Sequence, residues 1–201
     1  MSPIGHIKSW KRVFHSPPTA LTLAPERSGK ELIFILVDTV SRGGNLLLDI
    51  GPRADGAIPV IMEQRLKEMG DWLKINGEAI YGTRPWKNTH QWTAGEVPKL
   101  EYNKEYSSAY DVTRLIEKPT AARASIAAFF TTKGDTVYAI LPQWSGHNLV
   151  VKDVDAASSV GLLGSSLPLK FKSSKAGLSI ELPDLPDELR AQPAWVLKIS
   201  R

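Results

Sequence analysis

The sequence predicts a helix–strand–helix α/β unit followed by an all-β sandwich domain. Three observations carry that expectation. Apolar residues repeat at helical spacing through residues 29–40, a short apolar run with Leu46-Leu47-Leu48 at its centre follows at 45–50, and a second helical pattern starts near Pro59. After Gly77 the texture changes to short β-prone runs punctuated by Pro85, Pro98, Pro119, Pro142, Pro168, Pro183, Pro186 and Pro193. Turn signals at Gly134-Asp135 and Ala176-Gly177 divide those runs. Helix, strand and helix in succession form one turn of an α/β architecture. Many short strands with regular turns form a sandwich or small barrel.

Residues 1–27 read as an irregular leader. Pro3, Pro17, Pro18 and Pro25 interrupt any helix, and no apolar period is sustained. Ser28 has the chemistry of a helix N-cap, with Glu31 at the capping-box position three residues on. Ile33, Leu36, Val37 and Val40 supply the apolar face of this first helix, and Gly43-Gly44 permit a left-handed stop. The run Asn45-Leu46-Leu47-Leu48-Asp49-Ile50, closed by Gly51-Pro52, has the pattern of a strand buried on both faces. The second helix places Met62, Leu66, Met69, Trp72 and Leu73 on one face and ends at Gly77. We place the domain boundary near residue 86, giving an α/β part at 28–86 and a sandwich at 87–201. Strands are expected at 136–141, 148–152, 161–163, 167–172, 178–182 and 195–200.

Composition narrows the function classes. The net charge of +4 is spread among acidic residues with no Lys/Arg stripe, so no nucleic-acid partner is expected. The chain has no Cys, which excludes disulfides, thiol nucleophiles and cysteine-held zinc. No apolar run reaches the ~18 residues of a membrane span, and no membrane partner is expected. Met1 to Trp10 lacks the apolar core of a secretory signal, and a soluble chain of open compartment is expected. His6, His15, His90 and His147 show no ligand spacing, so neither a metal nor another cofactor is expected.

The stretch Leu36-Val37-Asp38-Thr39-Val40-Ser41-Arg42-Gly43-Gly44-Asn45-Leu46-Leu47-Leu48-Asp49-Ile50-Gly51-Pro52 resembles a signature of glycoside hydrolase family 29, the retaining α-L-fucosidases. Ala54-Asp55-Gly56, Glu63-Gln64-Arg65-Leu66 and Gly70-Asp71-Trp72-Leu73 continue the likeness. Phe130 to Ile140, Gly177 to Pro183 and Ala194 to Ile199 are similar to that family's C-terminal domain. The resemblance covers about residues 28–201. It implies an α/β remnant of a (β/α)8-like barrel followed by the β-sandwich, with residues 45–50 as the last barrel strand. It also implies hydrolase action on fucosylated glycans or small fucosides.

Retaining glycosidases use two carboxyl groups about 5–5.5 Å apart. The resemblance places the family's nucleophilic Asp and acid/base Glu on barrel strands upstream of the matched stretch, and neither carries over to a position in this chain. Barrel sites lie at the C-terminal ends of strands. Asp49 and Asp55 are therefore the candidate catalytic carboxylates by position. The family commonly has Asn where Asp49 stands, and an Asp before Gly is also a turn former. Ser9-Trp10 resembles the start of a family Ser-aromatic-Gly-Tyr-Asn segment whose ring packs near the fucose methyl, making Trp10 a candidate substrate-binding residue; Lys11-Arg12-Val13 departs from that pattern. Asp111 and Glu117 read as solvated loop; Trp86, Trp92, Trp144 and Trp195 could form a sugar-stacking platform, but they lie on separate elements and core packing fits most of them better.

A strand apolar on both faces needs neighbours on each side. The expectation is a truncated barrel that forms a homo-oligomer or associates with a complementing barrel fragment, active only once assembled. A second reading stays open: a non-catalytic β-sandwich that binds carbohydrate or another partner.

Overall fold

A computed structural model of the chain describes residues 19–22, 27–98, 111–117, 120, 122–144 and 148–201. In chain order the elements are β1 (Thr19–Thr22), α1 (Gly29–Ser41), β2 (Leu46–Asp49), α2 (Val60–Asn76), β3 (Arg84–Trp92), α3 (Val112–Leu115), β4 (Ile126–Lys133), β5 (Thr136–Leu141), β6 (Asn148–Val151), β7 (Ser159–Leu162), β8 (Phe171–Ser174), β9 (Gly177–Glu181), α4 (Asp187–Arg190) and β10 (Trp195–Ser200). A 3-10 turn, Gly77–Ala79, follows α2 directly.

The first helix begins as its sequence requires. Ser28 Oγ accepts from the Glu31 N–H at 3.2 Å, and the Glu31 carboxylate accepts from the Ser28 N–H at 2.7 Å. Two orphan amides of the first turn are thereby satisfied reciprocally. The helix stops at Gly43, whose φ of +81° suits glycine. A Cβ at Gly43 would also lie 2.8 Å from the Pro85 ring, so this stop packs directly against β3.

Strands β1 and β2 pair in parallel, with Thr19 opposite Leu46 and Thr22 opposite Asp49. This corrects two expectations. Residues 1–27 are not wholly irregular, and one neighbour of the triple-leucine strand comes from within the chain. Thr19–Thr22 is four residues long and sits between prolines, too short for a periodic signal.

The remaining strands form two antiparallel sheets, ordered β3-β4-β5-β10-β7 and β6-β9-β8. Phe130, Val137, Ala139, Leu197 and Ile199 of the larger sheet meet Leu149, Val151, Leu178 and Ile180 of the smaller one. The larger sheet's other face is equally apolar. Phe129, Tyr138, Ile140 and Val196 join Ile33, Phe34 and Val37 of α1 and Met69 and Trp72 of α2 in a second core. The five-stranded sheet is therefore a central layer, and its strands lose the in-out alternation of a sheet with one wet face.

Side chains of β3 close the gap between the sheets at one edge. Gln91 Nε2 donates to the Val150 carbonyl at 2.8 Å while its Oε1 accepts from the Lys152 N–H at 2.9 Å. This amide stands in for a ladder partner along β6 and blunts an open strand edge. Sequence patterning does not reveal β3, because its polar, bulged run alternates only weakly. The strand expected at 167–172 lies further along, as β8, where Ser174 faces Gly177 across the expected turn.

The helical layer is tied to the sandwich by specific bonds. The buried Trp72 Nε1–H donates to the Ala194 carbonyl at 3.0 Å. Thr131 Oγ1 donates to the Ala79 carbonyl at 2.7 Å. Glu78 accepts from Tyr138 Oη at 2.7 Å and from Lys198 Nζ at 2.5 Å. Lys198, then Tyr138, holds the Glu78 carboxyl below its ordinary range, and burial followed by the same contact pushes the Tyr138 hydroxyl above its own.

Trp72→Phe keeps most of the packing and loses the hydrogen bond, a cost of about 1 kcal/mol. Trp72→Ala opens a cavity and costs about 3–5 kcal/mol. Urea unfolding midpoints separate the two, and equal midpoints for Trp72→Ala and the parent chain would rule out this coupling. A carboxyl held low in the fold contributes stability that is complete above its ordinary pKa and lost as pH falls through the folded value. Glu78→Gln therefore lowers the melting temperature by a few degrees at neutral pH, the Glu78–Lys198 pair being well exposed, and makes no difference in strong acid. Melting curves across acidic pH check this; a gap that widens with acid would contradict it.

Candidate functional site

Strand direction decides which residues face a barrel interior. Leu46, Leu48 and Ile50 pack against the helical core. Successive side chains alternate across a strand, so Leu47 and Asp49 take the opposite face. Leu47 is 63% exposed there, and Asp49 is exposed at the strand's C-terminal end. Asp49 thus stands at the mouth of the open face, where barrel enzymes bind substrate.

Asp55 lies in the loop that follows, in a turn of its own making. Its Oδ1 accepts from the Ala57 N–H at 3.0 Å, and its Oδ2 lies 3.4 Å from the Arg53 guanidinium. Gly56, at φ +83°, completes the bend. Both aspartates are near the C-terminal end of β2, but Asp55 is engaged locally. Trp10 lies outside the described residues.

A different cluster occupies the opposite end of the α/β layer, where α1 ends and β2 begins. Asp38 pairs with Arg42 at 2.9 Å. His90 touches Thr89 at 2.8 Å and meets the Trp92 ring edge-on at 5.2 Å. Burial and then the Arg42 charge lower its pKa, despite Asp38. This is the stability end of a barrel layer rather than the binding end. Among the described residues no group of three His, Asp or Glu side chains is placed to hold a metal ion.

The first turn of α1 borders a cleft of about 510 Å³, walled by Phe34, Trp144 and Trp195 and rimmed by Lys30, Glu31 and Glu117. The two indole rings lie 5.9 Å apart at 57°. Both indole N–H groups are already used: Trp144 donates to the Pro183 carbonyl at 3.0 Å and Trp195 to the Leu189 carbonyl at 2.7 Å. Sequence reasoning missed this grouping. It took Glu31 as a cap, which it is, and Glu117 as solvated loop; it weighed the two tryptophans in a sugar-stacking platform but favoured core packing, and did not join them to Glu31 and Glu117. No local pattern links residues this far apart in the chain.

A parallel strand pair backed by helices that are bonded to a β-sandwich fits the closing part of an α/β barrel followed by a C-terminal β domain. Comparison with known proteins agrees. The α-L-fucosidase family model matches residues 23–78, and the α-L-fucosidase C-terminal domain model matches residues 123–200. The first match begins at residue 23, ahead of the Ser28 start expected from the signature. The α-L-fucosidase of Branchiostoma floridae is 34% identical over 184 residues, covering 89% of this chain and 34% of that protein. Human tissue α-L-fucosidase is 35% identical over 185 residues, covering 90% of this chain and 33% of that protein. The crystal structure of Thermotoga maritima α-fucosidase with a mechanism-based inhibitor superposes with a TM-score of 0.62 at 28% identity, covering 89% of this chain and 36% of that one. The chain belongs to the α-L-fucosidase family, glycoside hydrolase family 29, and corresponds to its C-terminal portion. It spans about a third of the length of the curated relatives it matches.

Proposed function

We propose that this chain is part of a retaining α-L-fucosidase that releases terminal α-L-fucosyl residues from glycans and small fucosides. The observation that carries this reading is the ordered match of both family segments, barrel end and sandwich, at about a third identity to curated fucosidases. The reaction needs a nucleophilic carboxylate and a second carboxyl as acid/base. Asp49 faces the open side of the strand pair and belongs beside the bound sugar. Its role is to accept hydrogen bonds from sugar hydroxyls and position the ring. That role suits the family's common Asn, whose side-chain oxygen accepts equally well. Asp55 shapes the loop beneath it.

Among the described residues β2 pairs only with β1 and Leu47 is exposed, so a closed pocket needs further barrel strands. A second copy of this chain, or a polypeptide carrying complementary barrel strands, supplies them. A non-catalytic carbohydrate-binding role is the second reading, and the aromatic cleft beside α1 is the observation in its favour.

Light scattering on the purified protein is expected to give a mass above that of one chain; a clean monomer would contradict assembly. The assembled form is expected to release nitrophenol from a nitrophenyl α-L-fucoside. Asp49→Asn retains kcat/KM within about threefold, whereas Asp49→Leu loses at least about tenfold. Equal activity of all three forms removes Asp49 from the site, and an assembled but inactive parent contradicts the fucosidase reading.

A further inference from the structure

We propose that the cleft beside the first turn of α1 is a binding subsite for a neutral pyranose unit of a glycan. The proposal rests on the fucosidase-family reading for its ligand class, and on the cleft's own chemistry for the rest.

The walls provide aromatic surface without donors. With both indole N–H groups spent on backbone carbonyls, the half-buried Trp144 offers only ring surface, backed by the buried Trp195 ring. The C–H face of a pyranose ring packs on such surface. The rim provides acceptors. Both Ser28 donors bond one oxygen of Glu31, Oε2, at 2.7 and 2.8 Å, which leaves Oε1 as an acceptor. Glu117 is exposed on the cleft's other side. One of the two Gln143 amide N–H bonds is spent on the Ile116 carbonyl at 2.5 Å, leaving one donor there. An acceptor-rich, donor-poor cleft selects a ligand rich in hydroxyl donors. A proline-rich peptide presents mainly carbonyl acceptors and would find few donors to meet them.

Charge sharpens the choice. Two carboxylates face a single ammonium, Lys30, which lies 5.7 Å from the Phe34 ring centre. A sialylated or sulfated glycan meets net repulsion, whereas a neutral one does not. The volume falls within the range of small-molecule sites, about 300–1,000 Å³. Position fits as well. Only residues 23–28 separate β1 from α1, so the first turn of α1 lies toward the C-terminal ends of the strands. A glycan engaged at that end of the layer can reach the cleft with a neighbouring sugar.

Isothermal titration calorimetry of the full chain with lactose, fucosylated lactose and sialylated lactose tests this. The two neutral sugars are expected to bind at least about tenfold more tightly than the sialylated one. Trp144→Ala weakens neutral binding about tenfold, and Trp144→Phe stays within about threefold of the parent. Glu117→Lys, at an exposed position that leaves the core intact, abolishes the discrimination against sialylated lactose. Unchanged lactose affinity in a folded Trp144→Ala chain would overturn the proposal. So would equal affinity of the parent for sialylated lactose, or displacement of lactose by a proline-rich peptide. Nitrophenyl fucoside hydrolysis is measured separately. Glycan binding without hydrolysis by the assembled protein removes the fucosidase reading and leaves the subsite standing. Hydrolysis without Trp144-dependent glycan binding removes the subsite alone.

Discussion

Both faces of the five-stranded sheet are apolar, and each must be covered. One face is closed by the three-stranded sheet, the arrangement of an ordinary sandwich. The other is closed by α1 and α2, the helices that also back the β1–β2 pair. Each large side chain buried there contributes about 1.5–3 kcal/mol, so Phe129, Tyr138, Ile140 and Val196 together make the helical cover a condition of the sandwich's stability. The barrel helices and the C-terminal domain share one core rather than meeting at a wet interface.

That shared core orients everything chemical. With α2 and the turn after it pinned by Trp72, Glu78 and Thr131, and α1 packed into the same core, the half-buried face of β2 is fixed toward the helices. The opposite face, with Leu47 and Asp49, then has only one direction left. The same packing sets the first turn of α1 beside Trp195 and brings Trp144 and Glu117 to the cleft around it. Gly43 contributes at the far end. Its left-handed conformation and contact with Pro85 let the chain leave α1 while lying against β3.

Much of this was legible in the residues. Ser28 and Glu31 announce the start of α1, Gly43-Gly44 its end, and the triple-leucine run a strand that needs cover. The sandwich was readable from its prolines and turns. Strand β1 was not, because four residues between prolines carry no period. Strand β3 was hidden by its polar, bulged edge. The third layer was hidden for a different reason. A continuous apolar strand such as Thr136–Leu141 says that both faces are buried, but not what buries them. The cleft was least legible, since Glu31, Glu117, Trp144 and Trp195 converge only through tertiary packing.

Differential scanning calorimetry of the intact chain bears most directly on the shared core. A single transition, with calorimetric and van't Hoff enthalpies equal, is predicted if α1, α2 and the two sheets unfold as one unit. Two resolved transitions, with the sandwich melting unperturbed after the helical layer has gone, would contradict it.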